Sequence, residues 1–324
     1  MRLLKLVPDT TNIEFTKWRT IAMVISLLLI AGSIALVAMR GLNLGVDFVG
    51  GQMVRVTFAQ PVEMQDVRST VRGLGLGDPT IQQFGSPNDV SIRMPLPEGG
   101  EGAANAAAGK LKTAIEAKYP GVTFGSVDTV SGKVSGELFR TGAIAMALAM
   151  VAISIYIWFR FEWQFGIGSL FALVHDVALT FGFFALTQLE FDLNSVAAVL
   201  TIIGYSLNDT IVVYDRIREN LRKYRKMDII ALLDLSVNET LARTIMTSLT
   251  MIIALTCLLI WGPEVIFGFT AAMLLGIFIG TYSSIYMAAP MLVWLKVGPD
   301  SFVPKEAAAA KGAERMGPVD GMRP

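Results

Sequence analysis

Residues 195–220 read SVAAVLTIIGYSLNDTIVVYDRIREN. The first twenty of them are apolar enough to cross a bilayer as one helix, which takes about 20 residues at 1.5 Å each. Near the end of that run stand Asn208, Asp209 and Thr210, and a charged segment begins at Asp215. A carboxylate within a span costs about 2.5–3.5 kcal/mol on insertion scales, so it is tolerated where it faces a bundle interior or a water-filled path. Asp209 lies six residues, roughly 9 Å, inside the charged boundary, too deep for so short a side chain to reach the headgroups easily.

Working outward, the chain's 324 residues are 53% hydrophobic and 17% charged, with a mean hydropathy of +0.56. That is the profile of a multi-span membrane protein carrying some soluble mass. The formal net charge is zero, so no nucleic-acid partner is expected. With one cysteine, Cys257, and one histidine, neither an intrachain disulfide nor a His/Cys metal site is expected, and no cofactor motif is present.

Six apolar runs are predicted to span the membrane: 20–39, 141–159, 165–187, 195–214, 244–260 and 266–294. The first follows a polar, basic segment, residues 1–19, and reads as an uncleaved span. Residues 40–139 are charged and rich in Gly and Pro. Strands are expected at Met53–Phe58, Thr80–Phe84, Val90–Met94 and Val122–Val130, and helices at Val62–Leu74 and Ala103–Tyr119. The order βαββαβ is the ferredoxin-like α+β plan, with a mobile loop expected over 95–102. Residues 140–295 carry the remaining five spans, and 296–324 read as a disordered tail.

Short loops orient the bundle. The 215–243 segment carries Arg216, Arg218, Arg222, Lys223, Arg225, Lys226 and Arg243, whereas 188–194 and 261–265 carry no Lys or Arg. By the positive-inside rule, both termini and the 215–243 loop are expected in the cytoplasm and the 40–139 domain outside it.

Span six shows Ala272, Gly276, Gly280, Ser284 and Ala288, a small-xxx-small stripe that lets helices approach closely. Span three carries Gly168, Ala172, Asp176 and Thr180 at the same spacing, which places Asp176 on a packed face. His175 is about 100° away on that helix and need not share the face. Arg243 opens span five, followed by Thr244, Thr247, Ser248 and Thr250. An Asp209 that meets Arg243 in one state and loses it in another would bind and release a proton; a permanent Asp209–Arg243 pair would only join two helices. Gly45–Gly51 (GVDFVGG) is too Gly-rich for a helix and lacks a phosphate loop's strand-then-helix context. The charged Asp215–Lys226 segment is read as a solvated, headgroup-facing helix extension, or as a dock for a cytoplasmic partner. No nucleophile–base pattern suggests an enzyme.

Three strings resemble one family. GVDFVGG (45–51), HDV (175–177) and YSLNDTIVVYDRIREN (205–220) are similar to signatures of the SecF family of bacterial protein-export membrane subunits, and LARTIMTSLT (241–250) is similar to the start of that family's fifth span. The resemblance covers about residues 12–296. It implies a non-enzymatic inner-membrane subunit that pairs with SecD in a twelve-span assembly related to the resistance-nodulation-division transporters. It further implies association with SecYEG and use of the proton gradient to pull unfolded polypeptide outward. Asp209 and Arg243 map to the family's proton-transport positions, with His175 and Asp176 as further candidates, and Asp47, Phe48, Gly50 and Gly51 map to a coupling motif. Gly276, Gly280 and Ser284 are assigned to helix packing. Two other functions fit the residues: a scaffold without proton transport, and half of a proton-coupled exporter of small molecules or lipids. The latter class expects about twelve spans and larger outer domains.

Overall fold

The computed structural model describes residues 8, 11–77, 79–83, 86–97 and 99–298. Six helical segments are long and apolar enough to cross a membrane: Phe15–Arg40, Gly132–Arg160, Trp163–Thr187, Leu193–Lys223, Ile229–Trp261 and Phe267–Trp294. An α+β domain stands between the first two. In chain order the helices are α1 (Arg19–Arg40), α2 (Val46–Val49), α3 (Met64–Arg72), α4 (Gly100–Lys118), α5 (Gly132–Arg160), α6 (Trp163–Thr187), α7 (Leu193–Lys223), α8 (Ile229–Trp261), α9 (Phe267–Ser283) and α10 (Ala289–Trp294).

The domain's strands are β1 (Gly51–Thr57), β2 (Thr80–Gln83), β3 (Asp89–Met94) and β4 (Thr123–Val130), and the sheet order is β2-β3-β1-β4, antiparallel throughout. This is the ferredoxin-like arrangement that the alternation of strands and helices predicts. Val54 pairs with Ile92 on one side and Val127 on the other. Val54, Val56, Val90 and Ile92 bury against Val67 and Val71 of α3 and Leu111 and Ile115 of α4. Three details depart from the sequence reading. Helix α4 starts at Gly100, so part of the expected 95–102 loop is helical. Helix α3 starts two residues after Val62. Val46–Val49 forms one helical turn, because the glycines flank it instead of interrupting it: Gly45 precedes it, and Gly50 ends it at φ +75.

Spans four and six form the centre. Half of span four's apolar window is buried, and 56% of span six's, against 6% for span two. Helix α7 packs on α6, α8 and α9, and α1 lies on α6. The 215–243 segment is not an irregular loop. Helix α7 runs to Lys223 and α8 begins at Ile229, so the two form a hairpin extending past the apolar runs. Asp228 caps α8 by accepting from Ile230 N at 3.0 Å. The preceding 3-10 turn, Phe15–Trp18, docks on this extension, where Thr16 N and Oγ1 donate to Asp234 Oδ1 at 2.8 and 2.6 Å.

Span six is interrupted by a π-helical turn, Ser284–Ala288, where Ala289 N donates to Ser284 O. Pro290 supplies the cause. It has no N–H for Tyr286 O, and its ring crowds that carbonyl, so the helix takes a wider turn ahead of it. Beyond Gly298, the expected disordered tail lies outside the described residues.

Candidate functional site

The small residues of α9 bring its backbone onto α7. A Cβ at Gly276 would stand 2.6 Å from Ile202 Cδ1, and one at Gly280 would stand 2.9 Å from Ser206 Cβ. The stripe therefore packs within this chain, and the close approach aligns hydroxyl groups from both helices deep in the bundle.

Asp176 of α6 lies at the centre of that polar layer. Asp176 and His175 are both 0% exposed. Asp176 Oδ2 accepts from Ser206 Oγ of α7 and from Ser283 Oγ of α9, the latter at 2.8 Å. His175 Nδ1 lies 2.9 Å from Asp176 Oδ1, so the two side chains meet although their positions on the helix diverge. The other ring nitrogen, Nε2, is buried with no hydrogen-bond partner among the described residues. One turn along α7, Thr210 Oγ1 and Ser284 Oγ are 2.8 Å apart. The π-helical turn thus begins where Ser283 reaches Asp176 of α6 and Ser284 reaches Thr210 of α7.

Asp209, 8% exposed, faces α8. Its Oδ1 accepts from Thr244 Oγ1 at 2.6 Å, while its Oδ2 is buried with no hydrogen-bond partner among the described residues. Arg243 is on the exposed side of the same turn of α8, and among the described residues no ion pair joins it to Asp209. The hydrogen bond to this carboxylate comes from the neighbouring threonine and not from the guanidinium. Further along, Tyr205 OH donates to Ser248 Oγ at 3.0 Å, and Ser248 Oγ is 2.8 Å from Thr281 Oγ1. Tyr282 OH lies 3.1 Å from Ser26 Oγ and ties span one to the layer.

Sequence reasoning assigned no role to Ser206, Ser283 or Tyr205. Ser206 was within reach of it: it lies three residues before Asp209, on nearly the same face of α7.

The 45–51 turn occupies a second junction, where the α+β domain meets the bundle. Asp47 Oδ2 accepts from Leu193 N, the first residue of α7, at 3.0 Å. Phe48 packs against Phe139 of α5 and Phe191, with ring centroids 5.8 and 6.0 Å apart. Gly51, at φ +116, passes so close to β3 that a Cβ would stand 2.7 Å from Met94 O. Gly45 N donates to Phe191 O at 2.9 Å. Arg55 of β1 reaches Glu190 at 3.6 Å and Asp128 at 3.0 Å. Burial pushes the Glu190 carboxyl above the usual carboxylate range, against the pull of Arg55 and Arg93, and Asp192 and Asp47 add to the rise.

Comparison with known proteins accounts for both junction and bundle. Residues 110–298 match the family described as protein export membrane protein SecD/SecF, C-terminal, and residues 35–62 match the SecD/SecF GG motif. The chain is 44% identical over 313 residues to the protein translocase subunit SecF of Cereibacter sphaeroides, covering 95% of this chain and 96% of that protein. It is 41% identical over 290 residues to SecF of Rickettsia akari, covering 89% and 94%. Among solved structures, SecDF of Thermus thermophilus, a translocon-associated membrane protein, superposes with a TM-score of 0.81 at 33% identity. SecDF in a super-membrane-facing form gives 0.65 at 31%. These matches cover 90% and 96% of this chain but 40% and 41% of the SecDF chains, so this chain spans about two-fifths of their length. On the family match, the identity and the shared fold, the chain belongs to the SecF family of protein translocase subunits.

Proposed function

We propose that this chain pairs with SecD and uses the proton motive force to promote export of unfolded polypeptide through SecYEG, acting as a non-enzymatic subunit. The observation that carries this is Asp209: a buried carboxylate held on one oxygen by Thr244, with no hydrogen-bond partner on its other oxygen and no ion pair to the adjacent Arg243 among the described residues. A group so placed has two distinct situations within reach, paired with Arg243 or not, and these favour different protonation states. One charge crossing the membrane field is worth about 2.3 kcal/mol per 100 mV, enough to drive a conformational cycle.

Arg243 also supports the SecD partner. An exposed guanidinium at the level of a buried aspartate does not sit against hydrocarbon, so a second protein or a water-filled seam covers it. Asp47 and Phe48 supply the mechanical link. Through Leu193 and Phe191 they hold the start of α7, the helix that carries Asp209, against the α+β domain. The charge asymmetry of the short loops supports cytoplasmic termini and an outward-facing domain in the inner membrane. His175 and Asp176 complete the candidate proton path, with Ser206 as the hydroxyl on α7 between Asp176 and the Asp209 turn.

The test is preprotein export into inverted membrane vesicles, with and without a proton gradient, with SecD association checked in the same samples. Asp209→Asn is expected to retain SecD and to lose the gradient-dependent part of export. Full retention of that part would favour a scaffold role instead.

A further inference from the structure

At the end of the bundle away from the α+β domain, α5 turns into α6 beside the extension of α7. Arg160, Asp215, Arg218, Glu219, Arg222 and Lys223 line a cavity there of about 550 Å³. Both carboxylates in it are engaged. Arg160 Nη2 reaches the two oxygens of Asp215 at 2.9 and 3.0 Å, and Arg216 takes Glu219 at 2.9 Å. In the lining itself the four cationic side chains, Arg160, Arg218, Arg222 and Lys223, outnumber the two carboxylates. Two of them crowd one ring: the guanidiniums of Arg160 and Arg218 lie 4.9 and 6.0 Å from the centroid of Phe161. Arg218 Nη1 donates to Arg160 O at 3.3 Å and Nη2 lies 3.9 Å from Glu162, while Arg218 Nε is buried with no acceptor among the described residues. Two guanidiniums gathered on one ring beside further cations suit an anion that offers several acceptor oxygens to planar guanidinium groups.

The surroundings point to a lipid as its source. Asp215 is the first charge after the apolar run of span four, so the cavity lies at headgroup depth. Trp158, Phe159 and Trp163 flank Arg160 in the chain and are 66%, 87% and 51% exposed, an aromatic belt against which acyl chains lie. Basic pockets between helices at this depth are suited to phosphate headgroups.

We propose that this cavity binds the phosphate headgroup of an anionic phospholipid, of the phosphatidylglycerol or cardiolipin class, from the adjoining leaflet. The site does not depend on which side of the membrane this end faces, nor on proton coupling.

The test is native mass spectrometry of the full chain released from nanodiscs holding equal phosphatidylglycerol and phosphatidylcholine. The wild-type chain is expected to retain the anionic lipid selectively. Arg222→Gln with Lys223→Gln, both at exposed positions that leave the fold intact, is expected to weaken retention by about fivefold per charge removed. Arg218→Gln is expected to weaken it as well, while Lys110→Gln with Lys112→Gln in α4 changes nothing. Unselective retention by the wild type, or equal retention by the Arg222/Lys223 variant, would overturn the site. Displacement of the lipid by millimolar inorganic phosphate would overturn the lipid assignment and make the ligand a soluble phosphate.

Discussion

Asp209 and Asp176 are both buried aspartates one helix apart, and their hydrogen bonds give them different roles. Asp176 takes hydrogen bonds on both oxygens, from His175, Ser206 and Ser283, and so joins α6, α7 and α9. Asp209 takes one, from Thr244, and keeps an oxygen in reserve. A fully answered carboxylate rigidifies; a half-answered one has a second arrangement available. Hydrogen bonds between spans average about 0.6 kcal/mol and reach roughly 1.7. Thr244→Val is accordingly expected to lower thermal stability in detergent by an amount in that range. In the Asp209→Asn background the same change should cost less, and equal costs in both backgrounds would place the two side chains out of contact. Sequence alone made Asp209 conspicuous, because one carboxylate six residues inside a charged boundary has no bland surface explanation. The hydroxyl partners of Asp176 were not legible. They come from two other spans, and a serine in an apolar run is equally compatible with bonding its own helix backbone.

At the scale of elements, the α7–α9 contact depends on what is missing from α9. Gly276→Leu drives a side chain into Ile202 and is expected to reduce the yield of folded protein sharply, whereas Gly166→Ala, with nothing within 4 Å, is expected to be neutral or slightly stabilising. Equal yields, read by size-exclusion chromatography, would refute the packing assignment. The small-residue stripe announced this contact, but not the π-helical turn at its end. That turn arises from Pro290, whose effect on the carbonyl four residues earlier depends on how the helix relaxes. The Val46–Val49 turn was misread for a related reason: counting glycines gave a loop, while their placement at its two ends gives a capped turn.

The junction of the domain with the bundle carries a pH dependence of defined sign. Because the folded state raises the Glu190 pKa, the folded junction binds a proton that the unfolded chain releases. Stability at this site is therefore greatest below the ordinary carboxylate value of about 4.3 and declines as pH rises from there through the raised value. Glu190→Gln is expected to flatten the pH dependence of thermal unfolding over that window. An unchanged pH profile would show that Glu190 does not titrate there.

For the whole molecule, the six spans and the βαββαβ domain followed from hydropathy and strand–helix alternation, since both are periodic properties of the chain itself. The continuation of α7 through the charged segment was read as a helix extension; its pairing with the start of α8 as a hairpin was not, because that rests on contacts between separate stretches of the chain, such as Asn220 with Ser236. The hairpin, the docked N-terminal segment and the basic cavity beside Phe161 form one polar end; the domain and the 45–51 turn form the other. Helix α7 runs through both and carries Asp209 between them. On the proposed function, a protonation event at Asp209 would be felt at the domain through this helix.

That central claim is tested most directly by infrared difference spectroscopy of the SecD-paired chain in lipid, following the carbonyl stretch of protonated carboxyl groups as pH is changed. The account predicts a titrating band that disappears in Asp209→Asn and persists in Asp176→Asn. A band unaffected by Asp209→Asn, or lost only in Asp176→Asn, would contradict it.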